Sequence, residues 1–315
     1  MYRTYRHGWY LVGFERDLND EIAPVSVGSE RLLLVCAVGA IRAFNADCPH
    51  RGAHLGYGGQ LDDNAIICPF HRFRIVLGTR DTNELSVRER HALVVGGLVF
   101  IRLSDGFDHG FTDFIQDIAE SHVIMPGHVW YLEVPAALMI ENGFDPAHFQ
   151  SVHRFGAHAI RTQTNLRGDL EMAGCLGLAA KLERGDVTFS EDQSTTDRVG
   201  TPKSGIPFAL SAFSPALSVL RVGGEYPYVT IIGATPGPKK HSLLRVSLAL
   251  PRAVYGDPPD QQIASRFLEQ IKAGIEDDRA IWEHLSFSSP AKFMATDAPV
   301  VEFRRFCRQF EAPAN

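Results

Sequence analysis

Apolar and polar positions follow two rhythms along this chain. Between residue 9 and about 104, short apolar runs at 32–36, 41–44, 65–67 and 98–101 are separated by glycine and Asx turns. That texture predicts a small unit of short strands. The stretch 105–126 is polar and mixed, and is expected to carry the chain into a second domain. Beyond it the pattern predicts a strand at 129–134, a helix at 138–153, and strands at 187–189, 216–222, 228–233 and 243–250, the last two joined by a turn at 236–240. A long helix is expected from 260 to 285, with Phe267, Ile271, Ile275, Trp282 and Leu285 forming its apolar stripe. No internal repeat or low-complexity tract interrupts this order.

Composition narrows the classes. A length of 315 residues fits two domains of ordinary size, divided here as 1–112 and 113–315. A net charge of −6 with no basic run argues against a nucleic-acid partner. The N-terminus shows no signal-peptide core, and the longest apolar stretches, near 32–41 and 92–101, are too short and glycine-broken to span a bilayer. Of five cysteines, Cys36, Cys175 and Cys307 stand at unrelated spacings and are expected to be reduced and mostly buried, which fits a cytoplasmic compartment.

The other two belong to a motif. Cys48-Pro49-His50-Arg51-Gly52 and Cys68-Pro69-Phe70-His71 bring two thiols and two imidazoles as a Cys-x-His and a Cys-x-x-His pair. Zinc fingers order such ligands Cys-Cys and then His-His. Alternation within each half instead lets the cysteines hold one iron and the histidines the other, the ligation of a Rieske [2Fe–2S] cluster. Pro49, Gly52, Gly56 and Pro69 suit two tight loops closing on it from both sides.

A second set of ligand-type residues lies at 141–153. Asn142, Asp145 and His148 recur every third residue, so one helical face presents them, while His153 lies about 140° around from His148 on an ideal helix. Both histidines reach one metal only near a bend or a helix end. Asp145 before Pro146 also reads as an N-cap followed by a first-turn proline. In the long C-terminal helix, Asp278 interrupts the apolar stripe while Asp277 points to the opposite side. A carboxylate facing a core needs a cation or several donors. An arginine or a hydrogen-bonded network would serve. So would iron, since His148, His153 and Asp278 make a 2-His-1-carboxylate triad of the kind that activates dioxygen.

With both motifs, the chain resembles the Rieske non-haem iron oxygenases, the ring-hydroxylating oxygenase α-subunits, over nearly its whole length. The family's cluster motif matches Cys48, His50, Cys68 and His71, and its Asn-x-x-Asp-x-x-His-x(4)-His motif matches Asn142, Asp145, His148 and His153. Its late carboxylate matches Asp278, with Asp277 the fallback. The nearest likeness is to the 3-ketosteroid 9α-hydroxylase and cholesterol 7-desaturase branch, through Glu141-Asn142, Ile281-Trp282-Glu283-His284 and the tail Asp297-Ala298-Pro299-Val300…Phe303-Arg304-Arg305-Phe306…Gln309-Phe310. One departure is His71-Arg72-Phe73, where many relatives have glycine after the histidine.

The resemblance implies an α+β fold: a small all-β Rieske domain, then a helix-grip catalytic domain with a curved antiparallel sheet. It implies a head-to-tail homotrimer in which Asp145 bridges His148 to a neighbour's His71. It further implies a mononuclear Fe(II), O2 as co-substrate, and NAD(P)H electrons delivered by a separate reductase and in some systems a ferredoxin. No nucleotide-binding fingerprint occurs in this chain. The expected reaction is hydroxylation of an apolar polycyclic, steroid-like substrate. Oxidative demethylation or cyclisation of an aromatic or natural-product substrate is the alternative, and a Rieske electron carrier fused to a ligand-binding module the non-enzymatic one. Phe208, Phe213 and Tyr228 are candidates for the pocket lining or for plain core.

Overall fold

The structure is a computed structural model, and it describes residues 7–37, 39–78, 84–183, 186–191, 205–237, 241–286 and 291–311. Among the described residues the N-terminal part contains ten strands: β1 (Trp9–Phe14), β2 (Ile22–Val27), β3 (Glu30–Ala37), β4 (Ala40–Asn45), β5 (Gln60–Leu61), β6 (Ala65–Ile67), β7 (Arg74–Leu77), β8 (Ser86–Val87), β9 (Glu89–Val95) and β10 (Leu98–Arg102). Six pair antiparallel in the order β1-β10-β9-β4-β3-β2, and β5-β6-β7-β8 make a smaller sheet. The unbroken apolar run in β3 follows from this packing. Leu33 and Val35 face a core shared with Cys48, Leu55, Ile66 and Cys68, whereas Leu32 and Leu34 face Tyr10, Val99 and Ile101. A strand with core on both sides has no polar face to show.

The C-terminal part begins with α1 (Phe111–Ser121), β11 (His122–Leu132), α2 (Ala136–Asn142) and α3 (Pro146–Ser151). Strands β12 (Ala157–Thr164), β13 (Leu170–Leu176), β14 (Leu178–Glu183), β15 (Asp186–Glu191), β16 (Ile206–Ser214), β17 (Leu217–Val222), β18 (Tyr228–Pro236) and β19 (Ser242–Pro251) follow. The chain then runs through α4 (Arg252–Tyr255), α5 (Gln261–Trp282) and α6 (Ala298–Cys307). Seven strands form one antiparallel sheet, β11-β19-β18-β17-β16-β13-β12, and β14 pairs with β15. Helix α5 packs on this sheet, with Phe267 against Leu248 and Leu250.

Three expectations change. The stretch 105–126 is no simple crossing: it holds all of α1, whose Phe111, Ile115 and Ile118 are buried, and the start of β11. The expected division after residue 112 therefore falls inside α1. The helix expected at 138–153 is two helices, because Pro146 has no N–H to continue the ladder and Asp145 caps a new start. The long helix ends at Trp282, leaving Leu285 outside it and exposed. Phe208 and Phe213 are core residues, 4% and 1% exposed. Residues 187–189 lie in β15, while 238–240 of the expected turn fall outside the described residues. Cys307 is buried, and Cys36 and Cys175 are half-buried free thiols. No helix among the described residues is long and apolar enough to cross a membrane.

The two parts share a core. Trp9, Leu11, Phe14 and Phe100 pack with Phe111, Phe213, Leu217 and Ile231. A bulge in β1 between Leu11 and Gly13 shifts its ladder with β10, and the Leu11 carbonyl accepts from Thr235 Oγ1 (2.6 Å) and Arg245 (3.2 Å) instead. Gly233 permits that approach, since a Cβ there would meet Leu11 Cβ at 2.4 Å.

Candidate metal centres

The N-terminal ligand set sits on two loops with one hydrogen-bond scheme. Cys48 N donates to Ala53 O and its carbonyl accepts from Gly52 N, each 2.8 Å. Cys68 N donates to Phe73 O (2.8 Å) and its carbonyl accepts from Arg72 N (3.0 Å). Each loop thus needs a left-handed residue four places after its cysteine. Gly52 takes it at φ +71°, and Arg72 at φ +61°. The departure seen in the sequence therefore leaves the loop shape intact and costs conformational strain of about 1 kcal/mol. Arg72 is further held by a 2.9 Å bond to Gln60.

Both cysteines are buried, at 3% and 1% exposure, while His50 is exposed and His71 half-buried at the tip. Their imidazole rings lie 4.8 Å apart. Burial pushes both thiols up and prevails at Cys48, whereas at Cys68 the backbone N–H groups of Phe70 and His71, with the Cys48 thiol beside them, outweigh it and hold the thiol below its ordinary value. Amides aimed at sulfur stabilise thiolates, which a cluster's iron requires. The donor set and its surroundings fit a [2Fe–2S] cluster.

The second set converges from three places. Asn142 ends α2, His148 lies in α3, His153 lies two residues past its end, and Asp278 lies in α5. Because α3 stops at Ser151, the chain turns back and brings His153 Nε2 to 3.0 Å from His148 Nε2. Asp278 Oδ1 stands 2.9 Å from His148 Nε2 and 3.2 Å from His153 Nε2. Three donors each about 2.1 Å from one ion, on one face of an octahedron, would be separated by about 3.0 Å. Asp278 Oδ1 is also buried without an aligned hydrogen bond among the described residues, an arrangement a cation would satisfy. Burial would raise the Asp278 carboxyl, but the two imidazoles beside it prevail and hold it below the carboxylate range. Its other oxygen, Oδ2, accepts from Asn142 Nδ2 (3.1 Å), which also stands 2.9 Å from His148 Nε2. The residues fit a mononuclear iron held by His148, His153 and Asp278. Asp277 is exposed and lines the adjoining cavity, away from this convergence.

Asp145 caps α3: its Oδ1 accepts from Ala147 N (3.1 Å) and His148 N (3.2 Å). Two supports were not legible in the sequence. Arg304 of α6 makes a two-pronged pair with buried Glu141, 2.6 and 2.7 Å, anchoring the helix that carries Asn142. Trp130 of β11 donates to Glu276 (2.6 Å), two residues before Asp278 in α5. Partners 163 and 146 residues apart leave no local signal.

A cavity of about 970 Å³ opens beside His153, lined by Val152, Phe155, Leu176, Tyr228, Phe267 and Ile271 among others. Its size suits a drug-sized or somewhat larger apolar molecule.

Comparison with known proteins decides the family. Residues 8–84 match the Rieske [2Fe-2S] domain, and residues 106–310 match the 3-ketosteroid 9α-hydroxylase C-terminal domain. The chain belongs to that family. It is 23% identical to a 3-ketosteroid-9-alpha-monooxygenase oxygenase component of Rhodococcus rhodochrous, over 97% of this chain and 80% of the relative. It is 24% identical to cholesterol 7-desaturase of Drosophila melanogaster over 48% of this chain, a match that spans only 38% of that relative's own length. Dicamba monooxygenase bound to dicamba superposes with a TM-score of 0.66 at 16% identity, covering 97% of each chain. The expected architecture stands: a Rieske domain followed by a mostly-sheet domain with the fold of Rieske oxygenases.

Proposed function

We propose that this chain is the terminal oxygenase of a Rieske non-haem iron system that hydroxylates an apolar polycyclic, steroid-like substrate. The observation that carries the reading is the convergence of His148, His153 and Asp278 within 3.2 Å at the edge of a large, mostly apolar cavity, in a chain that also has a Rieske domain. The names of the Rhodococcus and Drosophila relatives support a steroid-like substrate. Cys48, His50, Cys68 and His71 would hold the cluster. When bound, the cluster supplies electrons singly and the mononuclear iron supplies open positions for dioxygen. The electrons come from NAD(P)H through a separate reductase, with or without a ferredoxin.

The protein's own contribution is positional. Asn142, by donating to Asp278 Oδ2, turns Oδ1 toward the two imidazoles. The apolar part of the wall seats the substrate beside His153. In a head-to-tail trimer, Asp145 would link His148 to His71 of an adjacent copy. Its Oδ1 is committed to the cap, which leaves Oδ2 for that link. Asp145→Asn is expected to keep both metals and lose turnover, and full turnover would remove the bridging role. Iron analysis tests the whole reading: an oxygenase holds three irons per chain, two in the cluster and one at the triad. A preparation with only the cluster's irons after ferrous reconstitution would leave an electron carrier in its place.

A further inference from the structure

A further cavity, of about 450 Å³, lies in the N-terminal domain. It opens at one end of the six-stranded sheet. Arg102, the last residue of β10, is the register partner of His91, so β9 extends past β10 by Arg90 and Glu89. Arg88, Arg90 and Arg102 line the notch this leaves, together with Glu89, His91 and Asp105. In a chain of net charge −6, three guanidiniums around one opening reverse the local sign.

The acids in the notch do not cancel them. Glu89 is committed to Arg42, whose Nε and Nη2 hold its two oxygens at 2.8 Å each. Asp105 is shared between His91 Nε2 (2.9 Å) and Arg88 (3.4 Å), and its side chain is 73% exposed. Arg90 donates from Nε to Asn45 Oδ1 and from Nη1 to the Leu103 carbonyl, both at 2.8 Å, and both acceptors are neutral. A guanidinium has five N–H donors, so Arg90 uses fewer than half of them on the described residues. Arg102 Nη1 lies 3.3 Å from Asp108, which Trp9 and Thr112 also engage, and Arg102 Nε is buried with no hydrogen-bond partner. Burial, and then the neighbouring Arg88, lower the Arg90 guanidinium against the pull of Glu30 and Asp105. Two half-buried guanidiniums short of acceptors, with a third beside them, favour an anion between them.

The placement of the donors also selects the anion's shape. A carboxylate is flat and is matched by the edge of one guanidinium. A phosphate presents oxygens in several directions and meets guanidiniums that come from different elements. Arg88 precedes β9, Arg90 lies within it and Arg102 ends β10, so the notch offers donors of the second kind. Its volume leaves room for a small organic group on the phosphate.

The geometry points to an oxyanion site at this end of the sheet, in which Arg88, Arg90 and Arg102 hold a phosphate-type dianion, free or as the phosphoryl group of a small ester. Arg90 also holds the Leu103 carbonyl and Arg102 also meets Asp108, so a bound anion stiffens the passage from β10 to α1, where the two domains join. The site shares no residue with either candidate metal centre, and it stands independently of the oxygenase reading.

The test is isothermal titration calorimetry of the full chain with its irons in place, at fixed ionic strength in sodium chloride. Inorganic phosphate is expected to bind one ion per chain with half-saturation at or below about 1 mM, the worth of two charge-assisted hydrogen bonds. Arg88→Ser removes a side chain that is 56% exposed, keeps the fold, and should weaken phosphate about tenfold. Arg90→Met should weaken it further, and Arg305→Met on α6 should leave it unchanged. Glycerol 3-phosphate separates the two sources: tighter binding than inorganic phosphate assigns the site to an ester, and weaker binding assigns it to the free ion. Succinate bound as tightly as phosphate would overturn the choice of a tetrahedral anion. No saturable heat up to about 10 mM phosphate, or binding that neither Arg88→Ser nor Arg90→Met weakens, would overturn the site itself.

Discussion

The two metal centres are built in opposite ways. The cluster ligands come from two loops of the same design, each closed by local backbone hydrogen bonds within five residues of its cysteine. The triad gathers residues from α3, the turn after it and α5, with His153 and Asp278 125 positions apart, and buries the carboxylate fully and the imidazoles partly. A local loop can be strained and still close, as Arg72 shows at a position where Gly52 sits in its twin. A long-range convergence depends on every helix that leads into it. Local chemistry is robust to the rest of the fold, and distant chemistry is only as precise as the packing behind it.

That contrast can be pressed by mutation, beginning where the effect is greatest. Asp278→Ala should abolish binding of the mononuclear iron and lower turnover by more than the roughly 100-fold typical of changes to groups that merely orient ligands. The cluster's visible and EPR spectra should remain, because no cluster ligand depends on α5. Loss of both signals would show that the centres are not independently assembled.

Next in size is the support behind the triad. Arg304→Met leaves buried Glu141 without its two-pronged partner and should cost about 2–3 kcal/mol in thermal or denaturant unfolding, less than a fully buried pair because the guanidinium is 37% exposed. The same variant should weaken iron at the triad and spare the cluster. Arg304→Lys should recover only part of the loss, since an ammonium cannot make both bonds at once.

A smaller effect is expected where the two domains meet. Asp108 accepts from Trp9 Nε1 (2.9 Å) and Thr112 Oγ1 (2.5 Å) and lies 3.3 Å from Arg102. Burial would raise its carboxyl, but the Thr112 and Trp9 hydrogen bonds and the arginine together hold it below the ordinary value. The folded value is the lower one, so the stabilisation is present at neutral pH and is lost as pH falls through that lowered value. Asp108→Asn should cost about 1–2 kcal/mol at pH 7. The gap from wild type should close below about pH 4, where the unfolded carboxyl is itself protonated. A gap that stays constant down to pH 2 would exclude the carboxylate as its source.

The smallest difference is between the two cluster loops. Gly52→Ala should destabilise by about 1 kcal/mol, because a Cβ must then enter the left-handed region. Arg72→Gly relieves that same strain, against a lost bond to Gln60 and a looser unfolded chain, and should lie between neutral and about 1 kcal/mol more stable. Opposite signs for the pair would establish that the loops share one backbone requirement.

Much of the site was legible in the sequence, and for uneven reasons. Cys48, His50, Cys68 and His71 could be read together because their spacing alone places them on two short loops. The interruption of an apolar stripe by Asp278 was readable because helical periodicity fixes which face a residue occupies. The division of 138–153 into two helices had its signal in Asp145-Pro146, and α1 had one in the spacing of Phe111, Ile115 and Ile118. Glu141 with Arg304, and Trp130 with Glu276, had none, since nothing in a one-dimensional pattern says which distant charges or indoles will meet.

The sequence by itself determined the chemistry available: which atoms can bind metal, which loops must be tight, and which helix face carries a carboxylate toward the core. These are properties of spacing and residue type, and they survive any arrangement of the elements. Only the tertiary structure decided that His153 folds back onto His148 past the end of α3, that α5 delivers Asp278 to the same point, and that strands and helix α5 leave a cavity beside them. Those meetings are set by how the sheet and helices pack, and packing is a sum over many weak contacts that no single stretch of the chain contains.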